Sequence, residues 1–167
     1  MRDAFGGSFM IKLLLVFIII YVGFTAIALN YAKAFKVKNK VIEYIEDNEL
    51  IVDSLNAADF AKMEEYFQTD ILAGMNYKGQ ISCPTEKEYY QYGVLMKKIY
   101  CQDGILIEKT VYGKGTGNKY GDYYTITTAF GWDIPVFNSL LAMGNQDGGA
   151  MIGNWTISGE TRAIYKE

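Results

Sequence analysis

The sequence predicts an α+β domain behind a long N-terminal helix, and three observations carry that prediction. An apolar run extends from Phe9 to Leu29, residues at helical spacing continue on one face to Glu46, and beyond Gly74 the period falls to that of a strand. The expected architecture is a long helix (apolar first, amphipathic second), a short second helix, and an antiparallel sheet of about four strands. At 167 residues the chain has room for one domain plus an anchor, not two domains.

Within the first helix, Lys12 is the only charge between Phe9 and Leu29. About 20 residues rising 1.5 Å each span a hydrocarbon core of roughly 30 Å, and Lys12 can snorkel to the interface. A cleaved signal peptide is the competing reading, but its apolar region is usually about 7–15 residues. Thr25, Ala26 and Ala28 also lie inside the run rather than at a clean cleavage site. The small residues Gly23, Ala26 and Ala28 sit near one another and favour close helix packing in lipid.

No proline precedes Pro84 and no glycine lies between Gly23 and Gly74, so the helix is expected to continue from Asn30 to Glu46. Ala34, Val37, Val41, Tyr44 and Ile45 share one face there, with lysines around the rest. A second helix is expected after Asn56, an N-cap with Asp59 three residues on. Phe60, Met63, Phe67 and Ile71 form its apolar stripe, and Gly74 ends it. The segments 94–101 and 105–112 flank Gln102-Asp103-Gly104, a strong hairpin signal. Further strands are expected at 123–130 and 154–165.

Charge and chemistry narrow the function classes. From Asn30 onward there are 14 basic and 18 acidic residues and no basic stripe, which argues against nucleic acid. The chain has no histidine, the commonest metal ligand and general base. No oxygen-rich loop of EF-hand spacing takes its place, so no metal or cofactor is expected. The glycine-rich stretch Gly113 to Gly121 has Lys114 followed by glycine and no helix after it, which suits a loop rather than a phosphate cradle. No Ser-x-x-Lys or Gly-x-Ser-x-Gly string occurs. Asp103, Glu108, Asp122 and Asp133 are scattered as surface charges would be, and a hydrolase would require them to converge. The chain reads as non-catalytic, with no small-molecule substrate.

Cys83 and Cys101 read better as one disulfide than as two unrelated buried thiols. A bridge places the domain in an oxidising compartment. Lys33, Lys36, Lys38 and Lys40 contest this, because the positive-inside rule would keep them in the cytoplasm. The sequon Asn154-Trp155-Thr156 is too common by chance to decide. The expected division is a flank at 1–8, a transmembrane helix at 9–29 and an extracytoplasmic domain at 30–167. Tyr89, Tyr90, Tyr92, Tyr120, Tyr123 and Tyr124 suit either strand packing or a protein interface. Pro135 and Phe137, in an apolar segment between two strands, suit a partner contact or the membrane surface.

An apolar-then-amphipathic N-terminal helix followed by an antiparallel sheet with a disulfide resembles type IV pilins and pseudopilins. The stretch Ala28-Leu-Asn-Tyr-Ala-Lys-Ala-Phe-Lys-Val-Lys-Asn-Lys40 and the order of elements after it look closest to the TadE/TadG-like minor pilin proteins of tight-adherence secretion systems. The strand running into Ile134-Pro135 and the final strand from Trp155 to Tyr165 belong to the same likeness. The resemblance spans the whole architecture with loose motifs. Gly6-Gly7 mimics a processing site, whereas Lys12 stands where pilin precursors carry a glutamate. What this implies is a subunit that stays in the membrane and works in assembly, with the bilayer and other pilin-like or secretion-apparatus subunits as partners. A membrane-tethered binding or sensor module is the alternative.

Overall fold

A computed structural model of the chain describes residues 2–50, 52, 55–91, 94–111, 123–130 and 155–164. Helix α1 runs without interruption over Arg2–Asp47, 46 residues or about 69 Å. It begins earlier than the predicted Phe9, since a helix can carry Gly6 and Gly7 at a modest cost per residue. Its end falls one residue past the predicted Glu46. Leu50 N–H donates to the Ile45 carbonyl (3.0 Å) and Glu49 takes φ 48, closing the helix in the left-handed conformation that usually selects glycine.

The lower half of α1 is the spine of the domain. Ala34, Val37, Val41 and Ile45 recur at helical spacing and are fully buried, as their periodicity predicts. Tyr44, on the flank of that face, stacks on Tyr66 at 4.4 Å and meets the edge of Phe67 at 5.7 Å.

Helix α2 covers Ala57–Tyr66. Asn56 caps it as predicted: its Oδ1 accepts from the Asp59 N–H at 2.8 Å. From Phe67 to Ala73 the chain continues as a seven-residue π-helix; helical backbone then runs through Gly74 (φ −60) to Met75, and Asn76 (φ 46) ends it, two residues beyond the glycine expected to do so. Met63, Phe67 and Ile71 form the buried stripe expected of them, and the wider turn also brings in Leu72, five residues after Phe67.

Among the described residues the sheet has five strands, not about four: β1 (Glu88–Gln91), β2 (Val94–Gln102), β3 (Ile105–Val111), β4 (Tyr124–Phe130) and β5 (Trp155–Glu160), in that order and all antiparallel. The unpredicted strand is β1. It is four residues long, lies at an edge and is largely exposed, so it carries little of the alternation that marks a half-buried strand. The β2–β3 hairpin has the predicted place. Asp103 (φ 49) and Gly104 (φ 77) form a two-residue turn of the type that Asp-Gly favours. Gly104 is further constrained by a close backbone: a Cβ there would lie 2.5 Å from the Gly79 carbonyl carbon.

Helix α1 packs across β4 and β5, and the π-helix lies beside it. The sheet face toward the helices carries Tyr100, Ile105, Ile107, Tyr124, Ile126 and Phe130. Thr128 sits there as well, its hydroxyl donating to the Ala34 carbonyl at 3.0 Å. A bulge between Lys98 and Tyr100 shifts the register so that Tyr100 pairs with Ile107 on this face.

The segment after the π-helix is fastened to the sheet at three points. Tyr77 donates its hydroxyl to the carbonyls of Gly104 and Ala129, a disulfide joins Cys83 to Cys101 (Cα–Cα 5.8 Å), and Lys98 Nζ donates to the Pro84 carbonyl. Burial pushes the Tyr77 phenol up to about 12, so it stays a donor.

Candidate functional site

Among the described residues α1 is the one helix long and apolar enough to cross a membrane. From Phe9 to Phe24 almost every large apolar side chain stands exposed, Phe17 and Phe24 at 64% and 68%. A soluble domain does not leave such a surface to water. Packed hydrocarbon is the solvent it fits.

The small residues of this half are not equivalent. Gly23 is buried and Ala26 half-buried, on the line that continues downward into the core face, whereas Ala28 is exposed. At 100° per residue Ala28 turns away from Gly23, so Gly23 and Ala26 share a face that Ala28 does not.

Just past the apolar half, three elements bring aromatic rings together. Tyr31 packs edge-on against Phe130 at 5.5 Å, and Phe130 meets Trp155 edge-on at 5.6 Å. Phe35, one turn on from Tyr31, stacks with it at 6.3 Å, and Lys38 Nζ lies 4.5 Å from the Phe35 ring centre. Lys36 and Lys40 are exposed on the back of the helix and Lys33 is half-buried. Lys40 pairs with Glu43 at 3.3 Å. The Tyr31–Phe35 spacing just after an apolar run was the sequence signal for this cluster. Phe130 and Trp155, strand residues far along the chain, gave none.

The tyrosines expected at an interface divide. Tyr90 is 75% exposed and Tyr89 half-buried, both on edge strand β1. Tyr123 is half-buried at the start of β4. Tyr124 takes the strand-packing alternative. It is fully buried on the helix-facing side of β4, because alternation in the strand sends its ring inward. Tyr92, Tyr120, Pro135 and Phe137 lie outside the described residues.

An open depression of about 490 Å³ lies beside the π-helix, lined by Gln68, Asn76, Lys78, Gln80 and Asp103 among others. Its polar groups partly engage one another, with Gln68 Nε2 donating to Asp103 Oδ2. Nearby, the buried Tyr100 hydroxyl has no partner in hydrogen-bond geometry, although the Gln68 side chain is close. Burial first, then the Glu64 and Asp103 carboxylates, push this phenol up to about 12. Glu108 is also buried, with Oε1 unpartnered, and desolvation raises its carboxyl above the usual range. The lysine opposite it in register, Lys98, donates to Pro84 instead. Among the described residues no three Cys, Asp or Glu side chains group as metal ligands would.

No protein-family model, no curated protein and no solved structure matches the chain.

Proposed function

We propose that this chain is a single-pass membrane protein of pilin-like, TadE-like character, whose non-catalytic domain lies outside the cytoplasm and works in assembly of a pilus or secretion-type apparatus. One observation carries the reading: a single helix is exposed and apolar for one half and forms the spine of an α+β domain for the other. Such a rod couples lateral contacts in lipid directly to contacts made by the domain. The Cys83–Cys101 bridge supports the outside placement. Lys33, Lys36, Lys38 and Lys40 are the opposing signal under the positive-inside rule. Their weight is reduced where Lys38 lies on Phe35 and Lys40 pairs with Glu43.

Thiol alkylation in intact cells tests the placement. Cysteines that resist labelling until reduced, and then react without permeabilisation, support it. Free thiols that react only after permeabilisation put the domain in the cytoplasm and end the pilin-like reading.

The depression beside the π-helix favours a second reading, a tethered binding or sensor module. A charge at Val16 or Ile19 separates the two. An assembly subunit loses its partners, whereas a sensor keeps ligand response and fails instead on changes around Gln68 and Asp103.

A further inference from the structure

We infer that the folded domain itself docks on the bilayer, seating the ring cluster of Tyr31, Phe35, Phe130 and Trp155 in the headgroup layer, with Lys33 and Lys36 directed to the phosphates of anionic phospholipids. This rests on α1 spanning the membrane and goes beyond it, because an anchored domain can equally stand clear of the surface on a linker. Here there is no linker. Ala34, fully buried in the domain, comes five residues after Leu29 on the same unbroken helix. That is a rise of about 7.5 Å. The headgroup region on each side of the hydrocarbon is roughly 5–8 Å deep. Any helix tilt lowers the domain further. Ile27, inside the apolar run, already packs against the domain core.

The end of the sheet brought down to this level has the chemistry of an interface. The Phe130–Trp155 pair of β4 and β5 meets Tyr31, while the other end of β4, at Tyr124, hydrogen-bonds Thr161 beside the Arg162–Glu46 contact at the far end of α1. The membrane-facing rings keep large exposed areas: Tyr31 48%, Phe35 40% and Trp155 47%. Tryptophan and tyrosine partition to the boundary where an apolar ring and a polar edge are both satisfied. Lys33 and Lys36, about 6 and 10.5 Å beyond Leu29 along the helix, are within side-chain reach of that layer, and each adds about 1 kcal/mol of attraction to anionic lipid. They lie on one flank of the helix and Tyr31 and Phe35 on another, so ammonium groups and rings meet the bilayer side by side.

Depth-resolved tryptophan quenching tests this on the full chain in vesicles of phosphatidylcholine and phosphatidylglycerol. The chain has two tryptophans, and Trp132→Phe leaves Trp155 as the sole emitter. The expected result is a loss of Trp155 emission in bilayers brominated near the headgroup that exceeds the loss with bromine near the chain ends. Lys33→Gln and Lys36→Gln combined, or removal of phosphatidylglycerol, should reduce that loss and raise quenching by aqueous acrylamide. Emission indifferent to bromine overturns the docking, and quenching indifferent to both lysines and anionic lipid overturns the role given to charge. A control separates failure of docking from failure of the span: Ile20→Trp in a chain carrying Trp132→Phe and Trp155→Phe. If that residue is quenched by deep bromine while Trp155 is not, the helix spans and the domain stands clear. If neither is quenched, the span and the docking fall together. An intact disulfide and unchanged circular dichroism identify the chains in which the reading counts.

Discussion

Val16 and Ile18 stand about half exposed on the upper part of α1, while Val37 and Ile45 are completely buried on the lower part of the same helix. The residue types and the backbone are alike in the two halves. What differs is the circumference. Around Val16 every direction is apolar, so no single protein face can cover it and a surrounding apolar solvent must. Around Val37 the apolar face is narrow and lysines occupy the rest, so one sheet suffices. The comparison teaches that the destination of an aliphatic side chain is set by its neighbours around the helix rather than by its own hydrophobicity.

Moving one charge between the halves gives the largest predicted effect. Val41→Asp places an unpartnered carboxylate in the core and should cost the domain about 4 kcal/mol, seen as a lowered denaturant midpoint. Val16→Asp should leave that midpoint alone and instead raise the cost of insertion by about 3 kcal/mol, seen as easier extraction by carbonate. If Val16→Asp also unfolded the domain, the two halves would not be independent.

Breaking the disulfide sharpens the same distinction. The bridge closes 18 residues of sequence separation. Replacing Cys83 and Cys101 with serine should destabilise the domain by about 3 kcal/mol while membrane extraction stays unchanged. Asn56→Ala acts beside α1 by removing the cap of α2, and should cost about 1 kcal/mol of domain stability.

The smallest expected effect depends on pH. Because desolvation raises the Glu108 carboxyl above its reference value of 4.5, the folded state holds that proton more tightly than the unfolded state. Its contribution to stability is therefore fully present below 4.5 and is lost as pH rises through the folded value. Glu108→Gln should remove this slope from the denaturation midpoint and modestly stabilise the domain at neutral pH. An unchanged slope would show that Glu108 is solvated.

Much of the fold was legible because its signals are local. The absence of breakers wrote α1, Asn56 with Asp59 wrote the start of α2, and Asp103-Gly104 wrote a hairpin. β1 was missed because an exposed edge strand of four residues needs no apolar alternation. Tyr124 was left between strand packing and an interface because a tyrosine at the start of a strand has the same local sequence whichever face is covered. For the candidate site, the apolar run and the lysines could be read directly. Only half of the ring cluster could, since Phe130 and Trp155 acquire their meaning from Tyr31 beneath them.

The sequence by itself therefore determined the rod, its apolar length and the change to strand period, since each depends on neighbours a few residues apart. Tertiary structure decided how close the domain sits to the end of the apolar run, which rings gather there, and that Glu108 and Tyr100 are buried. Those outcomes depend on residues a hundred positions apart meeting across a sheet. No local periodicity encodes such a meeting before the chain has packed.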